Sequence, residues 1–334
     1  MSQYPRNKIS IIGLGYGDYQ YDVLKDLNQE ILVLIDKNPQ KLARRKYENV
    51  KTATSIKKAH LLIEKSDIII LSLPPAEHYD IFRENKAVFK NKVILLEKPV
   101  ALNTEELKKI QRISYENNIK VVIDHSLRFN PIIKKLKVIL TPLHYPYLIE
   151  IFLGQGLGYL EENTYRWYHS ASLGGGQVKM VFSHFYDLLL FLFPEQRIQQ
   201  TFIGKEVIEP IRKDKMGIKH FINAEEFFAG TAILTKGTIV NFSNTTYEYR
   251  SPHLKIVFYY PDQQLILDTR KGISRYSKEG EVNLGKFKFS GRYSIFSESF
   301  KFLARELVNY NLSNFSSLNE AYEISKIIHQ DYAR

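Results

Sequence analysis

Lys8-Ile9-Ser10-Ile11-Ile12-Gly13-Leu14-Gly15-Tyr16-Gly17-Asp18 is the stretch on which the fold turns. An apolar run of strand length, Lys8 to Ile12, ends directly on glycines, and a helical pattern carried by Val23, Leu24 and Leu27 follows. A strand that turns on Gly13, Gly15 and Gly17 into a helix brings free N–H groups and the positive end of the helix dipole to one point. A pyrophosphate can approach closely there, over the backbone of Tyr16. The spacing departs from G-x-G-x-x-G at its last position, where Asp18 stands in place of the third glycine and Gly17 comes one residue early. Asp36 lies about 20 residues beyond Gly15, at the end of the next apolar run, where a carboxylate can accept the ribose hydroxyls of a dinucleotide. Such a carboxylate favours NAD over NADP, although Lys37, Arg44 and Arg45 keep a 2′-phosphate within the cofactor's range.

The first 125 residues alternate apolar runs with helical patterns, as a series of βαβ units does. Strands are expected at Lys8–Ile12, Ile31–Ile35, Asp67–Leu73, Lys92–Leu96 and Lys120–Ile123. These runs are mostly apolar throughout, which fits strands buried on both faces of a parallel sheet. Asn103 followed by Glu106 predicts a capped helix from Thr104, and Asn38-Pro39 predicts another. Beyond about residue 145 the runs alternate: Tyr147–Leu153, Glu226–Leu234, Thr238–Tyr247, Leu254–Tyr260 and Gln263–Asp268 read as a mainly antiparallel sheet. Helices are expected at Gln177–Phe193, Ser297–Tyr310 and Leu318–Tyr332.

Two further segments stand at expected carboxyl ends of strands, where open parallel sheets bind ligands. Leu73-Pro74-Pro75-Ala76-Glu77-His78 is a proline-stiffened loop able to shape a cofactor groove, with Leu73, Pro74 and His78 as candidate contacts. Glu97-Lys98-Pro99 aims an ammonium at the crevice. Lys98 there can hydrogen-bond a substrate hydroxyl and favour the alkoxide character that develops as hydride leaves, with Glu97 beside the cofactor.

With these residues the chain resembles the glucose-fructose oxidoreductase and inositol 2-dehydrogenase family (Gfo/Idh/MocA). The resemblance rests on the glycine turn, Asp36, the Pro74 to His78 loop, Glu97-Lys98-Pro99, Arg128-Phe129-Asn130-Pro131, Gly174-Gly175-Gly176, His184 and Asp187. It implies an α/β chain: an N-terminal Rossmann domain, residues 1–125, and a C-terminal α+β domain, residues 126–334, built on an open, mainly antiparallel sheet. It also implies NAD- or NADP-dependent oxidation or reduction of a carbon of a sugar or cyclitol, with Lys98 and His184 as catalytic residues. Arg128, Asn130, Trp167 and Asp187 are candidate substrate contacts, and Arg166, Tyr168 and His169 adjoin them.

One departure stands out. Similar enzymes carry Asp-x-x-x-His on the helix after the glycine triplet, and here Met180 stands four residues before His184, with Phe182 where a glycine is common. On a regular helix Met180, His184 and Asp187 fall within about 60° of one another, apart from an apolar stripe of Val178, Val181, Phe182, Phe185, Leu188, Leu189 and Leu192. Two other functions therefore accompany the sugar dehydrogenase: a dinucleotide-binding regulator without turnover, and a reductase of an imine, enamine or tetrapyrrole.

Composition narrows the partners. With 44% hydrophobic residues the chain can bury a core, which excludes disordered and collagen-like classes. Cys 0 removes disulfides, thiolate metal sites and thiol nucleophiles, and no metal is expected. A net charge of +11 comes from scattered pairs such as Lys57-Lys58 and Lys108-Lys109 rather than one basic run, so an anionic small molecule is preferred to nucleic acid. The polar start, Met1 to Lys8, and the shortness of the apolar stretch from Met180 to Phe193 predict neither secretion nor a membrane span, and a cytoplasmic setting. Assembly as a homodimer or homotetramer is expected from the resemblance.

Overall fold

β1 (Lys8–Ile12) forms because its apolar residues can be covered on both faces, and four of its five residues are buried. In the computed structural model of the protein, which describes residues 4–44, 47, 50–156, 164–214, 216–248, 253–286 and 295–332, the chain divides into two compact units. One comprises Met1–His125 with Phe300–Glu323, the other Ser126–Ser299 with Ile324–Arg334.

In the first unit β1 is followed by α1 (Gly17–Asp26), β2 (Glu30–Ile35), α2 (Pro39–Leu42), β3 (Lys51–Ala53), α3 (His60–Glu64), β4 (Ile68–Leu71), α4 (Pro75–Phe89), β5 (Val93–Leu96), α5 (Thr104–Glu116) and β6 (Lys120–Ile123). The sheet runs β3-β2-β1-β4-β5-β6 with every pair parallel, the doubly wound order of a dinucleotide-binding fold. The order reverses between β1 and β4, so the glycine turn after β1 sits at the switch point. All five expected strands are present. The sixth, β3, is a three-residue edge strand, Lys-Thr-Ala, with no apolar run to announce it. The caps form as the sequence predicts: Asn103 Oδ1 accepts from Glu106 N at 2.9 Å and Asn38 Oδ1 from Gln40 N at 2.9 Å. Glu106 reaches back to Leu102 N, one residue short of closing the capping box on Asn103.

The second unit holds α6 (Pro131–Leu140), β7 (Leu148–Gly156), α7 (Ser183–Leu192), β8 (Ile198–Glu206), β9 (Ile211–Lys213), β10 (Lys219–Phe221), β11 (Phe227–Leu234), β12 (Ile239–Glu248), β13 (His253–Tyr259), β14 (Gln263–Asp268), β15 (Gly272–Ser277) and β16 (Gly280–Gly285). Its large sheet runs β16-β15-β14-β13-β7-β12-β11-β8 and is antiparallel except for β7 against β12. Alternation sorts the two faces: Ile149, Ile151 and Leu153 of β7 are buried with α7, whereas Glu150 is exposed.

A cut made once at residue 125 differs from what the structure shows, because Phe300–Glu323 belongs with the first unit. The reason is local packing. The Phe300 ring lies 5.9 Å from Tyr16 and 6.1 Å from Tyr19, Val308 O accepts from Asn7 Nδ2 at 2.8 Å, and Ile123 N donates to Ser316 O at 3.0 Å.

Candidate functional site

The glycine turn is shaped for an anion. Gly13 has φ +93°, and a Cβ there would come within 2.3 Å of Ser72 O, so only glycine fits. Gly17 takes the close-packing role that the third glycine of the motif would have: a Cβ there already meets Ile11 at 3.0 Å and Ser72 at 3.3 Å. Asp18 is thereby free to turn aside and accept the Tyr47 hydroxyl at 2.8 Å. A Cβ on Gly15, by contrast, would stand in open space with nothing within 4 Å. Tyr16, at the N-cap of α1, lays no side-chain cap over the first-turn N–H groups. An open cradle above uncapped N–H groups at a helix start is what a pyrophosphate requires.

Asp36 follows β2 and is 5% exposed. Its Oδ2 accepts Leu14 N at 2.8 Å and Lys41 Nζ at 3.1 Å, and its Oδ1 accepts Asn38 N at 2.9 Å. Burial pushes its pKa up, but these three donors outweigh burial and hold it below the ordinary carboxylate value. The carboxylate is thus charged, fixed at the nucleotide turn and partly offset by Lys41. Lys37 pairs with Glu77 at 2.9 Å, and Arg45 lies outside the described residues.

His78, an expected cofactor contact, packs inward. It is fully buried, with Nδ1 2.9 Å from Val100 O and Nε2 3.0 Å from Leu73 O, so it offers no face to a cofactor. Burial lowers its pKa against the pull of these carbonyls, and its ring ties the Leu73-Pro74 loop to the segment after Lys98. Leu73 itself lies against Gly13.

Three strands end in register, Leu71 opposite Leu96 and Leu96 opposite Ile123. The residues that follow them, Ser72, Glu97 and Asp124, therefore stand side by side at the carboxyl edge. Gln20 of α1, fully buried, joins all three: its Nε2 donates to Glu97 Oε1 at 3.0 Å and Asp124 Oδ2 at 3.2 Å, while its Oε1 accepts from Ser72 Oγ. Glu97 and Asp124 thus stand on adjacent strand ends and share the one Gln20 amide. Burial raises the pKa of Glu97 well above normal, and the Asp124 charge adds to the rise. Burial likewise raises Asp124 to about 6, against the opposing pull of Glu97, His125, Lys98 and Gln20. Lys98 is half-buried, and burial lowers its pKa, with Glu97 and Asp124 offsetting only part of that.

In the second unit, the expected substrate contacts Arg128 and Asp187 form an internal pair. Arg128 Nε meets Asp187 Oδ2 at 2.8 Å and its Nη2 meets Oδ1 at 2.7 Å, with side chains 4% and 1% exposed. Asn130 also packs inward. It is fully buried, caps α6 by accepting Ile132 N at 3.1 Å, and donates to Ser299 Oγ at 2.9 Å. The expected one-sided helix is also corrected. Val178–Phe182 is a π-helical turn, which breaks the 3.6-residue register, and all ten residues of α7 are buried. His184 lies among them, its ring stacked on Phe296 at 4.2 Å, and Met180 packs against the apolar core. Trp167 is half-buried, edge-on to Tyr168 at 5.9 Å. His169 is buried, accepts Arg166 N at 3.1 Å, and is lowered to about 4 by burial and by Arg212 and Arg166.

Gln20, Ser72, Asp124 and Lys41 are the residues that sequence reasoning passed over. Asp124 carried a usable signal: it follows an apolar run at the same offset at which Glu97 follows Leu96.

Residues 7–125 match the model of the oxidoreductase family with an NAD-binding Rossmann fold, GFO_IDH_MocA. This part of the chain is similar to the NAD-binding Rossmann domain of that oxidoreductase family, and the cradle and Asp36 fit the cofactor. An uncharacterized oxidoreductase of Synechocystis is 25% identical over 211 residues, a match covering 58% of this chain and 53% of that protein. The chain thus spans about half the length of that curated relative. Among solved structures, a super-repressor mutant of Gal80p from Saccharomyces cerevisiae superimposes with a TM-score of 0.79 at 16% identity, over 98% of this chain and 95% of the other. A UDP-N-acetylglucosamine 3-dehydrogenase from Acidithiobacillus ferrooxidans does so at 0.74 and 14%, over 98% and 97%. At these identities the likeness is one of fold. No helix among the described residues is long and apolar enough to cross a membrane.

Two outcomes are expected. Asp187→Asn leaves a buried guanidinium without its charge partner and lowers unfolding free energy by about 3–5 kcal/mol in urea titrations. Calorimetry shows tighter binding of NADH than of NADPH. Asp36→Ser narrows that preference by roughly tenfold, the scale of one charged hydrogen bond, and Lys41→Ala widens it.

Proposed function

We propose that the protein is an NAD(P)-dependent oxidoreductase that transfers a hydride between nicotinamide and a carbinol or carbonyl carbon of a sugar, cyclitol or sugar derivative. The observation that carries this reading is Lys98, an ammonium held at the carboxyl edge of a dinucleotide-binding sheet with two carboxyls beside it. The nicotinamide, when bound, supplies or takes the hydride. Gly13, Gly15, Tyr16 and Gly17 hold the pyrophosphate, Asp36 the ribose, and Leu73, Pro74 and Glu97 border the cofactor. Lys98 donates a hydrogen bond to the reacting oxygen and stabilises its negative charge, while His184 serves as the second acid-base group. Trp167 offers a half-buried aromatic face of the kind that packs on a sugar ring. A dinucleotide-binding regulator is the second reading, favoured by Met180, whose thioether cannot take the part of a carboxylate.

We further propose a homodimer or homotetramer formed through the outer face of the eight-stranded sheet, where Glu150, Phe152, Thr231, Asn241, Ser243 and Lys255 line a groove of about 710 Å³. Sedimentation as a monomer at micromolar concentration contradicts that assembly.

The reaction is tested by titrating sugars and sugar derivatives while following NADH absorbance and fluorescence. With any compound that turns over, Lys98→Met lowers turnover by about 10² or more at nearly unchanged cofactor affinity. Near-normal turnover in that variant overturns the reading, and binding without turnover across the panel supports the regulator.

A further inference from the structure

Asp124 Oδ1 is buried and receives no hydrogen bond from any N–H or hydroxyl group, although Asp124 is 3% exposed. A buried acceptor in that position needs a donor. Gln20 has none left to give: one amide hydrogen goes to Glu97, the other to Asp124 Oδ2, and its carbonyl is taken by Ser72. The Glu97 carboxyl stands on the adjacent strand end, held by the same Gln20 amide, and two carboxyls bond each other only when one of them carries a proton. The charged or titratable groups acting on this pair are Lys98, on the segment after β5, and His125, next in the chain. Lys98 feels both carboxyls.

We propose that Glu97 and Asp124 hold one shared proton behind Lys98 and return it to the lysine when the lysine gives its own proton to the substrate oxygen. This deepens the reading of Lys98 as the acid of a carbonyl reduction and rests on it. In that direction hydride addition leaves an alkoxide. A Lys98 N–H bond then breaks as the substrate O–H bond forms, the Glu97 O–H bond breaks as the Lys98 N–H bond is restored, and the two carboxylates regain one proton from water. Oxidation runs the same transfers backward. Asp124 is a positioning residue in this scheme. Its charge keeps the proton on Glu97 at neutral pH, where a lone carboxyl beside an ammonium would be ionised.

The store is tested on the unliganded protein by infrared spectroscopy in heavy water. At neutral pH the wild type should show a protonated-carboxyl stretch that shifts when glutamate is labelled with ¹³C, a readout needing no substitution. Glu97→Gln and Asp124→Asn, each checked for fold by circular dichroism, should each abolish that band. Absence of the band in the wild type, or its survival in both variants, overturns the proposal without touching hydride transfer. With a working substrate and Lys98→Met already inactive, Asp124→Asn should lower kcat about tenfold at nearly unchanged KM and move the alkaline limb of kcat to lower pH. An unchanged pH profile overturns the relay while leaving Lys98 catalytic.

Discussion

One buried amide organises the carboxyl edge of the first sheet. Gln20 reaches across from α1 to the residues that end β4, β5 and β6, and spends both hydrogens and its oxygen on them. Because a buried polar group left unpaired costs about 1–3 kcal/mol, the bonds fix more than Gln20. They set where α1 begins relative to the sheet, and so where the glycine turn opens. They also set the spacing of Glu97 and Asp124, and with it the field at Lys98. The nucleotide cradle and the lysine share one support, which is why helix α1 lies close over Ser72 and why a Cβ on Gly17 would crowd Ile11 and Ser72.

How much of this was legible follows from what each feature depends on. β1, β2 and β4 to β6 announce themselves as apolar runs because they are buried on both faces. β3 does not, since an edge strand of three residues needs no apolar side chains. Asp36 and Lys98 were found through their position after apolar runs. Their neighbours Gln20 and Lys41 were not, because a bond between side chains tens of residues apart leaves no local pattern. His78, Arg128, Asn130 and Asp187 were noticed as chemically capable residues, but sequence does not distinguish a polar group facing a ligand from one facing a carbonyl or a partner charge. Only the pairing does, and here it is internal for all four. The helix expected at Gln177–Phe193 is present, but its expected two-sided character is not, for another reason. Angular arithmetic assumes 3.6 residues per turn, and the π turn at Val178–Phe182 breaks that count just before His184.

The two units solve the burial of charge differently. In the second, Arg128 and Asp187 neutralise one another with two hydrogen bonds. In the first, two carboxyls and one ammonium share a sheet edge on which Asp124 is buried and Glu97 and Lys98 are half-buried, and such a set responds to any charge that appears nearby. The first arrangement suits structure and the second suits acid-base work.

The assignment of Phe300–Glu323 to the first unit bears on how the chain is made. A ribosome adding roughly 5–20 residues each second releases β6 well before Phe300. For something on the order of ten seconds the nascent sheet has neither the aromatic ring that packs on Tyr16 and Tyr19 nor the carbonyl that meets Asn7. The nucleotide-binding unit therefore cannot be finished until Ser126–Ser299 of the other unit has been synthesised, so its maturation is set by the order of translation as well as by its own stability.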